Sequence, residues 1–270
     1  MRAPLRVPAY FDPLLAGFRR GQAGRAVHLG HWDRPQAAGT ERAEFARAQA
    51  RLDEVLLEMA ELRPAQRVLD VGCGLGGTLE TVNRRMSGMT LTGFNIDARQ
   101  LELCRGIEPA NGNRLSWEQG DACRLPFPAA SFDRVLCIEA MFHFSSRRAF
   151  FAEAARVLRP GGVLVATDIL VSPAARELPP SVAAAIDAGF GPWPDLWGDT
   201  DHRSLAASAG LHCTQWRDAT ANTAPSHRFT TPRTQHDAAD IVAQAALMLE
   251  RLHVQGHLQY LYLRCDKVAP

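Results

Sequence analysis

Three glycines stand between two segments of different periodicity in the first third of the chain. Gly72, Gly74 and Gly77 follow a short apolar run at residues 67–71 and precede a stretch whose apolar residues have helical spacing. A strand, a glycine turn and a helix in this order expose backbone N–H groups to a ligand at the helix N-terminus. Because spaced glycines carry an entropic cost on folding, we expect this turn to hold a ligand.

The glycines alone do not decide which ligand this is. The pattern G-x-G-x-x-G, with Asp97 twenty residues after Gly77, is compatible with a nicotinamide or flavin site, an S-adenosylmethionine site, or a tight turn that holds nothing. Asp70, just before Gly72, would repel a phosphate but favours a ligand with a sulfonium and an ammonium group. The acid therefore favours the second of these alternatives, and the motifs in the rest of the chain decide between them.

A histidine and a second acid follow other predicted strands. Of the nine histidines, His143 comes directly after the apolar segment 134–140, and Asp168 lies towards the end of the apolar segment 163–171. The carboxyl ends of parallel strands meet at one edge of a sheet, where ligands bind. A histidine at that edge is suited to removing a proton from a reacting hydroxyl, because its ordinary pKa is close to neutral.

The elements that must position these residues alternate between strand and helix. Strands are predicted at residues 67–71, 90–96, 115–118, 134–140, 163–171, 212–216 and 258–263. Helices are predicted at 40–62, after the glycine turn, after Asp97, and at 147–158, 204–209 and 237–255. The alternation predicts an α/β fold with a doubly wound, mostly parallel sheet of seven strands.

The order of several motifs resembles class I S-adenosylmethionine-dependent methyltransferases. The segment VLDVGCG at 68–74 is similar to their first motif. Segments QGDA at 119–122, LPFP at 125–128 and SFD at 131–133 are similar to their third and fourth motifs, and LRPGG at 158–162 resembles the turn before their fifth strand. The branch that this chain resembles includes natural-product sugar O-methyltransferases and sterol and lipid C-methyltransferases. The resemblance implies a Rossmann-like methyltransferase fold that uses S-adenosylmethionine and releases S-adenosylhomocysteine.

The same resemblance implies contacts with the methionine end, the ribose and the adenine of the cofactor. The residues expected to make them are Asp70, Gly72, Gly74, Asn95, Gln100, Asp121, Ala122 and Glu139. Asn95 departs from the family pattern, because many members have an acid there that takes both ribose hydroxyls. Gln100 matches a glutamine that reaches the ribose, but it also stands where a capping box with Asp97 would place it. A plain turn is the alternative for Asp121.

The resemblance also implies catalytic roles. The sugar O-methyltransferases carry a histidine and an aspartate where this chain has His143 and Asp168, and there the histidine is the general base and the aspartate supports it. Packing against Phe142 and Phe144 is the alternative for His143, and a cap at the end of the strand is the alternative for Asp168.

Segments outside the matched core are expected to form the acceptor site. Residues 1–62 are predicted to be an N-terminal helical cap or lid, and residues 63–270 the methyltransferase core. Acceptor-binding insertions are expected around 172–200, which holds five prolines and two tryptophans, and around 220–240. The candidate acceptor contacts are His31, Trp32, Trp193 and His227. His227 is also the reserve candidate for the catalytic base.

Composition excludes several classes of protein. Thirty Lys and Arg balance 29 Asp and Glu in 270 residues, so no basic field for nucleic acid is present. No apolar run approaches the roughly 20 residues that span a bilayer, and no secretory signal is recognised at the N-terminus. The six cysteines form no C-x-x-C pair, and no histidine pair with ligand spacing stands beside a third ligand, which predicts reduced thiols, no disulfide framework and no metal. We expect a cytoplasmic monomer or homodimer that acts on a small molecule.

The favoured function is O-methylation of a natural-product hydroxyl with His143 as the base. Methylation of an isoprenoid or polyketide-like carbon is the nearest alternative, because it also needs a base and a closed pocket. A nicotinamide oxidoreductase and a non-catalytic cofactor-binding scaffold are less favoured, since the first leaves the later motifs unexplained and the second leaves His143 without a role.

Overall fold

The computed structural model of the chain describes residues 7–172, 174–175, 179–193, 201–231 and 240–268. Seven strands in these residues form one sheet in the order β3-β2-β1-β4-β5-β7-β6. The strands are β1 (Arg67–Val71), β2 (Thr90–Asn95), β3 (Arg114–Gln119), β4 (Phe132–Cys137), β5 (Leu158–Val171), β6 (Leu211–Asp218) and β7 (Leu258–Lys267). The first five are parallel, and β7 is antiparallel to both of its neighbours. The predicted doubly wound α/β fold is therefore confirmed.

Helices cover both faces of this sheet. They are α1 (Phe11–Arg19), α2 (Arg42–Ala60), α3 (Gly77–Arg85), α4 (Ala98–Cys104), α5 (Arg147–Val157), α6 (Pro180–Phe190), α7 (His202–Ser208), α8 (Thr220–Thr223), α9 (His227–Thr230) and α10 (Ile241–Val254). Val68 of β1 packs with the cluster that includes α2, α3 and α10, whereas Leu69 and Val71 pack with the cluster that includes α5 and α7. Alternate residues of β1 thus serve opposite faces, which explains why Val68, Leu69 and Val71 are all apolar.

The N-terminal part of the chain is more ordered than its composition indicates. Residues 1–39 show no clean period, yet α1 forms within them, and α2 begins with a capping box between Glu41 and Glu44. The intervening segment is fixed by α2, because the Gln49 amide donates to the carbonyl oxygens of Ala26 at 3.0 Å and His28 at 2.7 Å. This segment, residues 25–32, lies across the glycine turn and is called the strap below.

The fourth strand ends earlier than predicted. Strand β4 stops at Cys137, whereas the apolar pattern runs to residue 140. Glu139 has a left-handed backbone with φ of 48°, and Met141–His143 form a 3₁₀ turn. The chain therefore leaves the sheet after Cys137, and His143 is the last residue of the 3₁₀ turn that follows.

The prediction for the cysteines is wrong for one pair. Cys213 of β6 and Cys265 of β7 are directly opposed in the antiparallel register, and their sulfur atoms are bonded. Their separation of 52 residues in sequence hides this pairing, which only the strand register reveals. The other four cysteines are free.

Segments around the predicted insertions fold into helices where the structure describes them. Helix α6 packs against α10, and residues 191–193 continue from α6 toward the edge of the sheet. Residues 194–200 and 232–239, including Trp197, lie outside the described residues. Within the described part of the chain, none of the helices combines the length and apolar character that crossing a membrane requires.

Candidate active site

A cavity of about 730 Å³ lies beyond the carboxyl ends of β1, β2 and β4. The strap and α1 close one side of it, and residues 190–193 and α10 close another. All eight residues expected to contact the cofactor line its wall, namely Asp70, Gly72, Gly74, Asn95, Gln100, Asp121, Ala122 and Glu139. His143, Trp193 and His227 line it as well, whereas Asp168, His31 and Trp32 do not.

The glycine turn needs its glycines for two different reasons. Gly72 and Gly74 have φ of 79° and 53°, which lie in the left-handed region that a side chain disfavours. At Gly77 the obstacle is steric, because a β-carbon there would stand 2.9 Å from the carbonyl oxygen of Arg25. The turn and the strap therefore fit together closely, and the strap forms part of the roof over any ligand held by the turn.

Asp70 is a buried carboxyl group at the end of β1. Burial, reinforced by the charge of Asp53 and opposed by that of His28, raises the pKa of Asp70 to about 7. The group therefore changes charge near neutral pH, and a cationic ligand would favour its ionised form. This setting suits the ammonium and sulfonium of S-adenosylmethionine.

Two amides form the next part of the wall. Asn95 Nδ2 donates to Gln100 Oε1 at 2.9 Å and to the carbonyl oxygen of Gly74 at 3.3 Å. Gln100 is 1% exposed and its Nε2 has no hydrogen-bond partner in the structure. A buried donor that lines a cavity without a partner is suited to a ligand hydroxyl. Gln100 thus fits the ribose contact, and Asn95 orients it. The capping-box alternative for Gln100 is not realised, because its Oε1 accepts from Asn95.

Asp121, the residue expected to meet the adenine, closes a turn and keeps one carboxylate oxygen free as an acceptor. Asp121 Oδ1 accepts from the backbone N–H of Cys123 at 2.8 Å, which is the turn-forming role that the sequence left open. Because a carboxylate has two oxygens, this bond still leaves one oxygen for an adenine amino group. Ala122 is buried in the same wall. The two roles of Asp121 are therefore compatible.

Glu139 connects the strap to the core of the sheet. Its Oε1 accepts from the Leu29 backbone N–H at 2.7 Å and from the Tyr260 hydroxyl at 2.6 Å. Burial raises the pKa of Glu139, while the charge of His28 and these two hydrogen bonds lower it. The carboxyl thereby fixes the middle of the strap above the cavity.

His28 anchors the strap from the other side. Its Nε2 lies 3.4 Å from Asp53 Oδ1, and the Thr78 hydroxyl donates to the same oxygen at 2.7 Å. Burial acts to lower the pKa of His28, but the hydrogen bond and charge of Asp53 outweigh it and raise the pKa to about 9. His28 is therefore protonated at neutral pH, with an acid on α2 as its counter-ion.

His143 lies in an apolar part of the wall. Its ring centroid is 4.3 Å from that of Phe142 and 6.0 Å from that of Trp193, and its Nε2 is 3.2 Å from the Tyr10 hydroxyl. Its Nδ1 is buried without a partner. Burial lowers the pKa of His143 to about 3, and the charges of Asp168 and Arg147 act in opposite directions. The imidazole is neutral in the physiological range, although its pKa is far lower than the near-neutral value expected.

Asp168 does not pair with His143. Its carboxylate is fully buried and accepts from Arg147 Nε at 2.6 Å, and His202 Nε2 lies 2.7 Å from it. Burial raises the pKa of Asp168, but these two partners outweigh it and hold the pKa below its ordinary value. The expected direct support of the histidine by this acid is therefore absent from the structure, because side chains from α5 and α7 occupy the carboxylate.

The other acceptor candidates divide into two groups. Trp193 lines the cavity with a buried, unpartnered Nε1, and His227 lines it with its Nε2 at 3.1 Å from His253 Nδ1. His31 and Trp32, at the end of the strap, are instead buried away from the cavity, where they contact Tyr262 and Ser226. Among the described residues, no group of three His, Cys, Asp or Glu side chains is arranged to hold a metal ion.

Sequence reasoning missed Tyr10, which precedes α1 in a part of the chain without a period. His28 lies in the N-terminal segment that was expected to act as a lid, but no contact of its own was predicted. Apolar residues from six elements complete the wall: Leu14, Phe142, Ile169, Phe190, Val242, Ala246, Leu249 and Leu258. The sequence offers no signal for these, since their shared position depends on how α6 and α10 pack.

The fold and the site together define an S-adenosylmethionine-dependent methyltransferase of the Rossmann-like class. The glycine turn, the acid expected near the cationic end, the unpartnered amide expected to meet the ribose and the acid expected to meet the adenine all line a single cavity. Comparisons with known proteins agree. Residues 69–166 match the family model described as a methyltransferase domain.

Two curated relatives extend over most of the chain. The methyltransferase GfsG of Streptomyces halstedii is 35% identical over 205 residues, covering 74% of this chain and 70% of the relative. The 27-O-demethylrifamycin SV methyltransferase of Amycolatopsis mediterranei (strain S699) is 33% identical over 208 residues, covering 75% of this chain and 72% of the relative.

A solved structure shows the same fold at low identity. The geranyl diphosphate C-methyltransferase of Streptomyces coelicolor A3(2), determined with Mg²⁺, geranyl diphosphate and S-adenosyl-L-homocysteine, has a TM-score of 0.74 at 19% identity. The match covers 99% of this chain and 100% of that chain. This protein belongs to the S-adenosylmethionine-dependent methyltransferase family, it is an enzyme, and S-adenosylmethionine is its cofactor, as the motifs predicted.

Proposed function

We propose that this enzyme transfers a methyl group to a hydroxyl of a neutral, largely apolar natural product, with His143 as the general base. The observation that carries the proposal is the arrangement of the cavity. Its cofactor-binding wall faces an apolar region in which His143 has a neutral imidazole and an unpartnered nitrogen. Two relatives with a methyltransferase name, one of which names an O-demethylated acceptor, support the choice of a hydroxyl.

The charges of the cavity support a neutral acceptor. In the described part of the wall, the cationic side chains are Arg25 and the protonated His28, both on the strap. The Arg25 guanidinium donates to the carbonyl oxygens of Leu75 at 2.9 Å and Leu103 at 3.2 Å, and His28 lies beside Asp53. Those contacts hold both cations at the cofactor side. The region around His143 is formed by Phe142, Trp193 and their apolar neighbours, so an acceptor that binds there gains mainly from apolar burial.

Proton removal by His143 does not require a high pKa. S-adenosylmethionine supplies the methyl group from its sulfonium. While the acceptor oxygen gains the methyl carbon, it becomes positively charged and its proton becomes strongly acidic. A neutral imidazole within hydrogen-bond distance then takes that proton, and the apolar walls exclude water that would compete as an acceptor of the methyl group.

Methylation of a carbon is the second candidate. The shared fold with a C-methyltransferase and the apolar cavity are compatible with it. That neighbour was solved with a diphosphate substrate and Mg²⁺, whereas the described wall around His143 contains no cation to meet a diphosphate. The hydroxyl of a neutral acceptor therefore remains the better-supported choice.

The test combines an acceptor screen with a histidine variant. Polyketide and macrolide alcohols, including 27-O-demethylrifamycin SV, are supplied with the cofactor, and formation of S-adenosylhomocysteine is measured. His143→Ala is expected to lower turnover roughly 10²–10⁴-fold, which is the usual contribution of one positioned base. Calorimetry should show cofactor affinity within a few-fold of wild type.

The matched control is His212→Ala, which removes an exposed histidine on β6 and should leave turnover unchanged. Near-normal turnover of His143→Ala on a hydroxyl acceptor would contradict the proposal. In that case His227→Ala tests the reserve candidate for the base.

A further inference from the structure

Tyr10 places its hydroxyl group against the proposed base. The hydroxyl lies 3.2 Å from His143 Nε2, and the two rings are stacked with centroids 5.8 Å apart. No motif in the sequence points to Tyr10, because it stands before α1 in the part of the chain without a period. It nevertheless lines the same cavity as His143.

Tyr10 is fixed by residues from another part of the fold. Its backbone N–H donates to the carbonyl oxygen of Gly189 at 3.2 Å, and its ring meets that of Phe190 edge to face at 5.2 Å. Gly189 and Phe190 end α6, which packs against α10. The hydroxyl position is therefore set by contact between the N-terminal segment and α6, and not by the 3₁₀ turn that carries His143.

A neutral imidazole has one protonated nitrogen and one free lone pair, and a general base needs the lone pair to face its substrate. In the structure Nε2 has the Tyr10 hydroxyl as its partner, whereas Nδ1 has none. The carboxylate that would otherwise fix the tautomer, Asp168, is occupied by Arg147 and His202. Among the described residues, Tyr10 is thus the polar side chain within hydrogen-bond distance of the His143 ring.

We propose that Tyr10 is a positioning residue for His143, and this inference rests on the proposed function of His143 as the base. The Tyr10 oxygen accepts the Nε2–H of the neutral ring, which leaves the lone pair on Nδ1. The acceptor proton moves to Nδ1 when the methyl group is transferred, and it leaves to solvent after product release. Because Tyr10 is held by α6, the base has its working tautomer only when the N-terminal segment is closed on α6.

A double-mutant cycle tests this role. Tyr10→Phe keeps the ring packing and removes the hydroxyl, so kcat is expected to fall roughly 10-fold, while the KM for S-adenosylmethionine and the melting temperature stay unchanged. In a His143→Ala background the same substitution is expected to have no further effect on kcat. Tyr262→Phe is the matched control, because it removes a tyrosine–histidine hydrogen bond of 2.9 Å to His31, outside the cavity wall, and should leave kcat unchanged.

Ring ¹⁵N chemical shifts give a second readout that needs no acceptor. Protein labelled at histidine is expected to show His143, assigned by its loss in His143→Ala, as the Nε2–H tautomer, and Tyr10→Phe should give a mixture of tautomers. Normal or increased kcat in Tyr10→Phe, an equal loss in the His143→Ala background, or unchanged ¹⁵N shifts would overturn the inference. If His143→Ala alone keeps normal turnover, the proposed base is wrong and the role of Tyr10 falls with it.

Discussion

A carboxyl group that titrates near neutral pH gives the cofactor site a testable pH response. Burial raises the pKa of Asp70 to about 7, so the group is largely protonated at pH 6 and largely ionised at pH 8. A ligand with an ammonium and a sulfonium favours the ionised form. The affinity for S-adenosylmethionine is therefore expected to increase roughly 10-fold from pH 6 to pH 8, with the gain ending above the pKa.

Calorimetric titrations at pH 6, 7 and 8 measure this response. Asp70→Asn is expected to bind the cofactor more weakly at pH 8 and to lose the pH dependence, because an amide cannot ionise. An unchanged pH dependence in Asp70→Asn would assign the response to another group and contradict the account of the cationic end.

The meeting of the residues expected to bind the cofactor could be predicted from the sequence, and the partners of the catalytic candidates could not. Asp70 lies near the end of a strand, and Gln100 and Asp121 follow strands within a few residues, so strand order alone brings them to one edge. The contacts of His143 and Asp168 depend on Tyr10, Arg147 and His202, which reach them from helices or segments distant in sequence. The resemblance to a family identified His143 and Asp168, but it did not reveal that the two side chains have separate partners.

At the scale of elements, the close fit between strap and glycine turn is open to test. A β-carbon at Gly77 would stand 2.9 Å from the backbone of Arg25, so Gly77→Ala must push the strap outward. Overpacking of this kind typically costs about 1–3 kcal/mol. We expect weaker cofactor binding and faster tryptic cleavage at Arg25 than in wild type.

Gly24→Ala provides the matched control, since a β-carbon there meets nothing within 4 Å. It should leave both cleavage rate and cofactor affinity unchanged. Equal cleavage rates for Gly77→Ala and wild type would show that the strap does not rest on the turn as described.

The bounds of elements with a clear apolar pattern were predicted well, whereas the bounds of elements that depend on tertiary contacts were not. Strand β1 has the predicted bounds, because an apolar run before a glycine turn specifies both of its ends. Helix α1 was missed although Phe11, Leu14, Leu15 and Phe18 have helical spacing, because it is only nine residues long. It is held in place through Tyr10 and the end of α6. Strand β4 was predicted too long, because an apolar run does not reveal the left-handed backbone at Glu139.

For the whole molecule, the sequence predicted the sheet and the cofactor, and the structure adds the shape of the acceptor side. Strap, α1, α6 and α10 close one cavity over the ends of the parallel strands. Their contacts link residues that lie more than half the chain apart, as in the hydrogen bond from the backbone N–H of Tyr10 to the carbonyl oxygen of Gly189. Local patterns carry no information about contacts of that range, which is why the acceptor wall emerges only from the folded chain.

The position of the transferred methyl group tests the central claim most directly. S-adenosylmethionine labelled with ¹³C in its methyl group is incubated with the enzyme and the best acceptor from the panel of polyketide alcohols, and the product is analysed by two-dimensional NMR. The account predicts that the labelled methyl carbon is bonded to oxygen and correlates with the carbon that carried the hydroxyl. A labelled methyl bonded to carbon would contradict it, and would assign the enzyme to carbon methylation within the same fold.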